Sequence, residues 1–226
     1  MLRSIGCFVM AMASSHLKGT AAFSPPTPYR PTILTQLHST PNPPENESIE
    51  SYLQQNYPLF ESLLSKIPNI YNTLRESDAA NGYTLFVPSN SVMENQDPKR
   101  KLQIADPRNA EATEKLASYH VVPNGKVTQE RLKREDWTVP KIDGVAALSI
   151  GGLLTLGGEL RVGRSKTGGI FGFGAREDGG VVIGNNEAKV VKSVNVGVRG
   201  VVHEVDAFVA PDLIWRYFDI LRIPGF

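Results

Sequence analysis

Ser118-Tyr-His-Val-Val-Pro-Asn-Gly125 is the stretch that decides the fold of this chain. Before it, Thr84-Leu-Phe-Val-Pro-Ser-Asn90 extends the apolar run that predicts a buried strand from Tyr83 to Val87. After it comes the valine-rich strand segment Gly200-Val-Val-His-Glu-Val-Asp-Ala-Phe-Val-Ala-Pro211. Residues 106–118 predict a helix capped by Asp106-Pro107, with Ala112, Leu116 and Ala117 facing inward. Tyr119 and His120 follow directly after that helix.

Together, these three segments resemble the fasciclin (FAS1) domain family. The family pattern is a strand "T-V-F-A-P-T-N", a helix end "L-x-Y-H-V-V-P-G" and a strand "G-V-I-H-V-I-D-x-V-L-x-P". All three occur here in order, from about Ser48 to Asp212, and three ordered motifs are far more specific than one. The resemblance implies adhesion or docking rather than catalysis, and a structural role for the motif residues Thr84, Phe86, Pro88, Asn90, His203 and Asp206.

Outside the motifs, the residue pattern predicts helices first and strands later. Ser48 should cap a first helix, Pro58 should begin a second, and Ile70–Leu74 should form a third. From Val139 onward, short β-rich runs are separated by glycine turns. The predicted strands are Ala147–Ile150, Leu153–Leu156, Leu160–Val162, Val181–Ile183, Ala188–Val194 and Val201–Val209. This order favours a single α+β domain, in which the family fold wedges the N-terminal helices against a β-sandwich of short strands.

The first 44 residues have the composition of a targeting leader. They contain no Asp or Glu, and an apolar core follows Arg3, as in a signal peptide. Thr20-Ala-Ala-Phe-Ser-Pro25 resembles the junction of the bipartite plastid presequences of algae with complex plastids. We therefore predict a signal peptide over about residues 1–22, a transit-like segment over 23–44, the FAS1 domain over 48–212 and a tail over 213–226. The alternative is a secretory signal with a Pro-rich linker, for which the sequon Asn46-Glu-Ser48 is an acceptor.

The remainder of the chain is nearly neutral. Removing residues 1–44 removes three of 24 basic residues and none of 23 acidic ones, which leaves 21 − 23 = −2. This balance, without a dense basic stripe, argues against nucleic-acid binding. The one cysteine, Cys7, lies in the leader, so we expect neither a disulfide nor thiolate chemistry in the domain.

His120 and His203 are the only histidines beyond the leader. Without cysteines or a His-x-x-x-His spacing they do not form a typical metal site, and no Gly-x-Ser-x-Gly accompanies them. We expect both to be buried, hydrogen-bonded structural residues, and we expect no cofactor. In animal family members the Tyr-His region is linked to receptor binding, which would map onto Tyr119 and His120. A small enzyme that uses either histidine with Glu204 or Asp206 is the weaker alternative.

Two further segments could carry partner contacts. The glycine-rich run from Gly163 to Gly180 lacks the ending of a phosphate loop and predicts a long hairpin, with Phe171 and Phe173 on one face. These rings would cover the core or grip a partner. After Pro211, Asp212 should cap an amphipathic helix that either packs on the domain or docks in a partner's groove. The anchors in that docking would be Trp215, Phe218 and Phe226.

The sequence therefore predicts a non-catalytic FAS1 interaction domain in a plastid. Its expected partner is a protein, and a thylakoid-associated photosynthetic assembly is the hypothesis that the leader motivates. A secreted or cell-surface adhesion protein is the alternative within the same class. We predict no transmembrane helix, and the sequence does not indicate an oligomeric state.

Overall fold

The fold is that of a computed structural model, which describes residues 47–139, 144–146, 152–168, 175–185 and 188–221. The α+β prediction is confirmed: helices occupy the N-terminal half and most strands follow residue 152. Tyr83, Phe86 and Phe60 are among the largest fully buried side chains. They belong to one hydrophobic core, which joins the N-terminal helices to the first motif strand and extends to Leu116 and Phe218.

The three N-terminal helices begin where the sequence predicts. They are α1 (Ile49–Asn56), α2 (Pro58–Leu64) and α3 (Ile70–Ala79). Ser48 Oγ accepts a hydrogen bond from the N–H of Ser51, so it is the N-cap of α1. Pro58 occupies the first turn of α2, where a missing N–H has no cost. Each helix buries an apolar face, and Leu53, Phe60 and Leu74 are fully buried.

A six-stranded sheet brings the motifs together. Its strands are β1 (Tyr83–Pro88), β2 (Val121–Val122), β5 (Val162–Thr167), β6 (Arg176–Ile183), β7 (Ala188–Val196) and β8 (Gly200–Val205), in the order β2-β1-β8-β7-β6-β5. β1 and β8 are parallel neighbours, with Phe86 in register with His203. β3 (Leu153–Thr155) and β4 (Gly158–Leu160) form a separate antiparallel pair. The adjacent inner strands β1 and β8 thus carry the first and third motifs.

Five further helices belong to the described domain. They are α4 (Asn90–Glu94), α5 (Pro98–Ala105), α6 (Ala110–Ser118), α7 (Gln129–Arg134) and α8 (Asp212–Ile220). A 3₁₀ turn at Pro107–Asn109 precedes α6, and Asp106 caps that turn by accepting the N–H of Arg108. Ala112, Leu116 and Ala117 are buried, as predicted. The helix predicted over 106–118 is therefore a 3₁₀ turn followed by α6.

Several strand predictions need correction. The single strand expected at Leu160–Val162 is the junction of β4 and β5. Before Arg161 the chain pairs with β3, and after Arg161 it pairs with β6. The strand expected over Val201–Val209 ends at Val205. The described parts of the glycine-rich hairpin pair antiparallel out to Thr167 and Arg176. Ala147–Ile150, Phe171 and Phe173 lie outside the described residues, as does Phe226.

α8 also begins differently from the prediction. Its N-cap residue is Pro211, and Asp212 is the first helical residue rather than the cap. The Asp212 carboxylate accepts a hydrogen bond from the Asn185 amide instead. A carboxylate in the first turn still favours the helix, because it lies near the positive end of the helix dipole. Within the described ranges, no helix is long and apolar enough to cross a bilayer.

Candidate functional site

His120 lies between α6 and β2, where its ring is completely buried. Nδ1 lies 2.6 Å from the carbonyl oxygen of Phe86, and Nε2 lies 3.3 Å from the backbone nitrogen of Val209. A carbonyl only accepts, so Nδ1 carries the proton, and Nε2 accepts the Val209 N–H. Burial lowers the pKa of His120 to about 4. The neutral ring therefore satisfies both neighbours, and a second proton would face the Val209 N–H donor.

His203, in β8, is buried in the opposite tautomer. Nε2 lies 2.7 Å from the carbonyl oxygen of Val127, so Nε2 donates, and Nδ1 accepts from the Ser193 hydroxyl at 2.7 Å. Its ring stacks on Phe86 with the centroids 5.3 Å apart. Burial lowers the pKa of His203 to about 4. As predicted, both imidazoles are buried and hydrogen-bonded.

Thr84 joins the first motif to the loop that reaches His203. Its buried hydroxyl donates to the Gly125 carbonyl at 2.9 Å and accepts the Val127 N–H at 2.8 Å. Val127 in turn presents its carbonyl to His203. The three motifs are thus one network, in which the histidines tie β1 and β8 to the segments after α6.

The other motif residues hold the ends of these strands. Pro88 ends β1 in register with Val205. The Asn90 amide donates to the Asn56 carbonyl at 3.0 Å, whereas its buried Oδ1 has no partner within the described ranges. Asp206 accepts the N–H of Lys189 at 2.7 Å, which ties the residue that follows β8 to strand β7. All of these contacts lie within the domain.

Ser193 and His203 form a serine–histidine pair that the sequence did not indicate. A serine nucleophile needs a base whose second nitrogen is oriented by a third group, usually a carboxylate. Here Val127 supplies a neutral carbonyl at Nε2 instead. The imidazole is buried, and its lowered pKa makes it a weak base. The pair therefore lacks the features of an activated nucleophile, although the Ser193 hydroxyl lies within hydrogen-bond distance of the imidazole.

Tyr119 and His120, the predicted receptor-type contacts, are both buried. Tyr119 is 9% exposed, and the Lys115 ammonium lies 5.7 Å from the centre of its ring. The turn between β3 and β4 covers the ring closely, since a Cβ added to Gly157 would lie 2.6 Å from it. Among the described residues, no group of three or more His, Cys, Asp or Glu side chains could hold a metal ion.

α8 packs against the domain through Trp215 and Phe218. Phe218 is fully buried, and Trp215 lies edge-on to Phe208 at 5.9 Å. The buried amide of Gln103 donates to the carbonyls of Phe218 at 2.6 Å and Leu221 at 3.1 Å, so it caps the end of α8. Arg100 pairs with Asp219 at 2.6 Å and lies over the Trp215 ring at 5.4 Å. The sequence did not indicate Gln103 or Arg100, because both act on residues more than 100 positions away.

The outer face of α8 is apolar as well. Leu213, Tyr217 and Ile220 are 72%, 45% and 77% exposed. They are spaced i, i+4 and i+7, which places them on one side of the helix. We call these three residues the outer stripe. It adjoins a groove of about 390 Å³ between α6 and α8, lined by Glu111, Ala112, Glu114, Lys115, Ser118, Leu156, Ile214 and Tyr217.

Comparison with known proteins agrees with the three motifs. The sequence matches the Fasciclin domain family over residues 55–211. Comparison with the curated proteins gives no match.

Among solved structures, the chain is similar to a FAS1 domain pair from the insect cell adhesion molecule fasciclin I, at 14% identity and a TM-score of 0.41. That match covers 66% of this chain and 43% of the other, so the chain spans less than half of that structure's length. Because the family match covers more than half of the sequence, this chain belongs to the fasciclin (FAS1) domain family.

Proposed function

We propose that this chain is a non-catalytic FAS1 interaction module that binds another protein through the outer stripe of α8. FAS1 domains are commonly adhesion and interaction modules. The observation that carries the proposal is the exposure of Leu213, Tyr217 and Ile220 on a helix whose neighbouring side is already anchored.

A helix that only packs on its own domain needs one apolar side. α8 has two, since Ile214 and Phe218 are buried while the outer stripe is exposed. Anchors at i, i+4 and i+7 are those with which a helix enters a partner's apolar groove. Clustered exposed apolar side chains mark interaction sites more often than scattered ones do. The outer stripe therefore fits a protein partner.

The groove beside α8 enlarges this surface. Leu156, from the turn after β3, is 39% exposed and lies with Ile214 and Tyr217 in the same groove. The end of α6, at Ser118, lines the same groove as α8. Two regions that the sequence marked separately as partner candidates thus lie side by side.

The predicted anchors take different parts in this proposal. Trp215 and Phe218 hold α8 on the domain, and Tyr119 and His120 are buried within it. Phe171, Phe173 and Phe226 lie outside the described residues and stay predictions. The outer stripe takes the role of direct contact.

We place the module in a plastid, on a thylakoid-associated protein assembly. The acid-free leader and its resemblance to a bipartite presequence support this compartment. The second candidate is a secreted or cell-surface adhesion protein, favoured by the signal-like core after Arg3 and the sequon at Asn46. Both candidates use the same binding surface.

Replacing Leu213 and Ile220 together by serine should release the protein from sedimenting membranes and leave it folded. Both side chains are exposed, so the loss of stability should be within about 0.5 kcal/mol for each. Fractionation of cells that express the full chain measures the release, and thermal unfolding checks the fold. Val191→Ser/Val198→Ser is the matched control, because these valines are 59% and 75% exposed elsewhere on the domain. Equal fractionation of the two double variants would contradict the proposal.

Imaging the full chain with a C-terminal fluorescent tag in its own cell type tests the compartment. We expect the tag to overlap chlorophyll, since a bipartite leader directs import. Signal at the cell surface, with glycan on Asn46, would replace the plastid assignment with the adhesion alternative.

A further inference from the structure

A second apolar groove lies on another part of the domain, between α2, α4 and α5. It has a volume of about 460 Å³, within the range of roughly 300–1,000 Å³ typical of small-molecule sites. Leu63 and Phe208 in its lining are almost fully buried. The apolar lining residues are Leu59, Leu63, Met93, Ile104, Ala105 and Phe208.

The aromatic part of this lining is held in place by the motif core. Phe208 packs edge-on against His120, with the ring centroids 5.6 Å apart, and His120 is fixed by hydrogen bonds at both ring nitrogens. Thr113 donates its hydroxyl to the Ile104 carbonyl at 3.2 Å, so the polar group there is already satisfied. A preformed apolar surface of this kind suits an apolar ligand chain.

The charged residues in the lining favour an anionic headgroup. They are Lys66, Lys101 and Glu94, a net charge of +1. The Lys101 ammonium donates to the main-chain carbonyl of Glu94, which holds it at the groove and leaves it two further protons to donate. Lys66 is exposed, and its side-chain ammonium forms no ion pair or hydrogen bond with the residues that the structure describes.

We propose that this groove binds a single-chain fatty acid. The hydrocarbon chain lies on Leu63, Met93 and Phe208, and the carboxylate pairs with Lys66 and Lys101. A cationic amphiphile would meet two like charges against the one opposite charge of Glu94, and a neutral one would leave the lysines unused. The site is separate from the outer stripe of α8, so it does not rest on the proposed protein-binding function.

Isothermal titration of the full chain with decanoic acid, below its micelle concentration, tests the proposal. Decan-1-ol is the matched probe, because it has the same chain without the carboxylate. We expect saturable binding of decanoate at about one molecule per chain, and binding of decanol that is at least several-fold weaker. Lys66→Met/Lys101→Met should weaken decanoate binding roughly tenfold, since each exposed ion pair contributes a few-fold.

Ala105→Trp tests the effect of filling the groove without removing a charge. Ala105 is exposed, so the indole should occupy the groove without disturbing the core, and both probes should lose binding. Lys99→Met, on the same helix but outside the lining, should bind decanoate like the unaltered chain. No saturable decanoate binding, equal affinities for the two probes, or unchanged binding by folded Ala105→Trp would each overturn the proposal. Leu213→Ser/Ile220→Ser should bind decanoate normally, so failure of one site does not imply failure of the other.

Discussion

Acidification from pH 6.5 to pH 4 should lower the free energy of unfolding by about 3 kcal/mol for each of His120 and His203. Burial holds both pKa values at about 4, whereas the unfolded chain has the ordinary value of 6.5. Between pH 6.5 and pH 4 the unfolded state binds protons at these histidines, whereas the folded state does not. The stabilisation is therefore complete above pH 6.5 and is lost progressively as the pH falls to 4.

Urea unfolding of the full chain at pH 7.0, 5.5 and 4.5 measures this loss. The ion pair between Asp178 and Lys189 does not contribute to the change in stability in this range. The pKa of Asp178 is lowered to about 2, so the stabilisation from this pair is lost only below pH 4. His203→Gln should reduce the slope of stability against pH by the contribution of one proton. A free energy of unfolding that stays constant between pH 7.0 and 4.5 would show that the two rings are not buried as neutral groups.

The two histidines should respond differently to protonation. The Ser193 hydroxyl can rotate and accept from a protonated His203, because a hydroxyl both donates and accepts. The Val209 N–H can only donate, so a protonated His120 loses that hydrogen bond. Protonation of His120 should therefore open the contacts between α6, β1 and Val209 first.

Phe218→Ala should destabilise the domain by about 3–5 kcal/mol, the usual range for truncating a buried aromatic ring. Phe218 is fully buried and contacts Trp215, and its carbonyl receives the Gln103 amide. The effect is informative because α8 lies beyond the residues matched to the family, which end at 211. A large loss would show that α8 is an integral part of this domain.

Tyr217→Ala is the matched control for that experiment. It removes the neighbouring ring of the same helix, which is 45% exposed, and should cost less than about 1 kcal/mol. Thermal or urea unfolding compares the two variants. If Phe218→Ala were no less stable than Tyr217→Ala, then α8 would not be docked on α5 and α6 in solution.

The features that the sequence predicted well are set by local chemistry. Ser48 and Pro58 mark helix starts through capping and through the missing proline N–H, and neither needs a distant contact. The three motifs indicated β1, α6 and β8 because they combine apolar runs with ordered spacing. α4 and α7 are too short, at five and six residues, to show a clear helical period.

The features that the sequence did not predict depend on contacts between distant residues. Arg161 separates two strands only because β4 pairs with β3 and β5 pairs with β6. Gln103 caps a helix that is 115 residues away. The serine–histidine pair exists because β7 and β8 are in register at Ser193 and His203. The exposure of the outer stripe likewise depends on which side of α8 meets α5 and α6.

Site-specific photo-crosslinking from α8 tests the central claim most directly. A benzophenone amino acid replaces Tyr217 in the full chain in its own cells, and the same amino acid at Val198, which is 75% exposed on another part of the domain, is the control. We predict a discrete crosslinked protein adduct from position 217, absent from position 198 and reduced by the additional change Ile220→Ser. No adduct at position 217, or the same adducts from both positions, would contradict the account of α8 as the partner-binding surface.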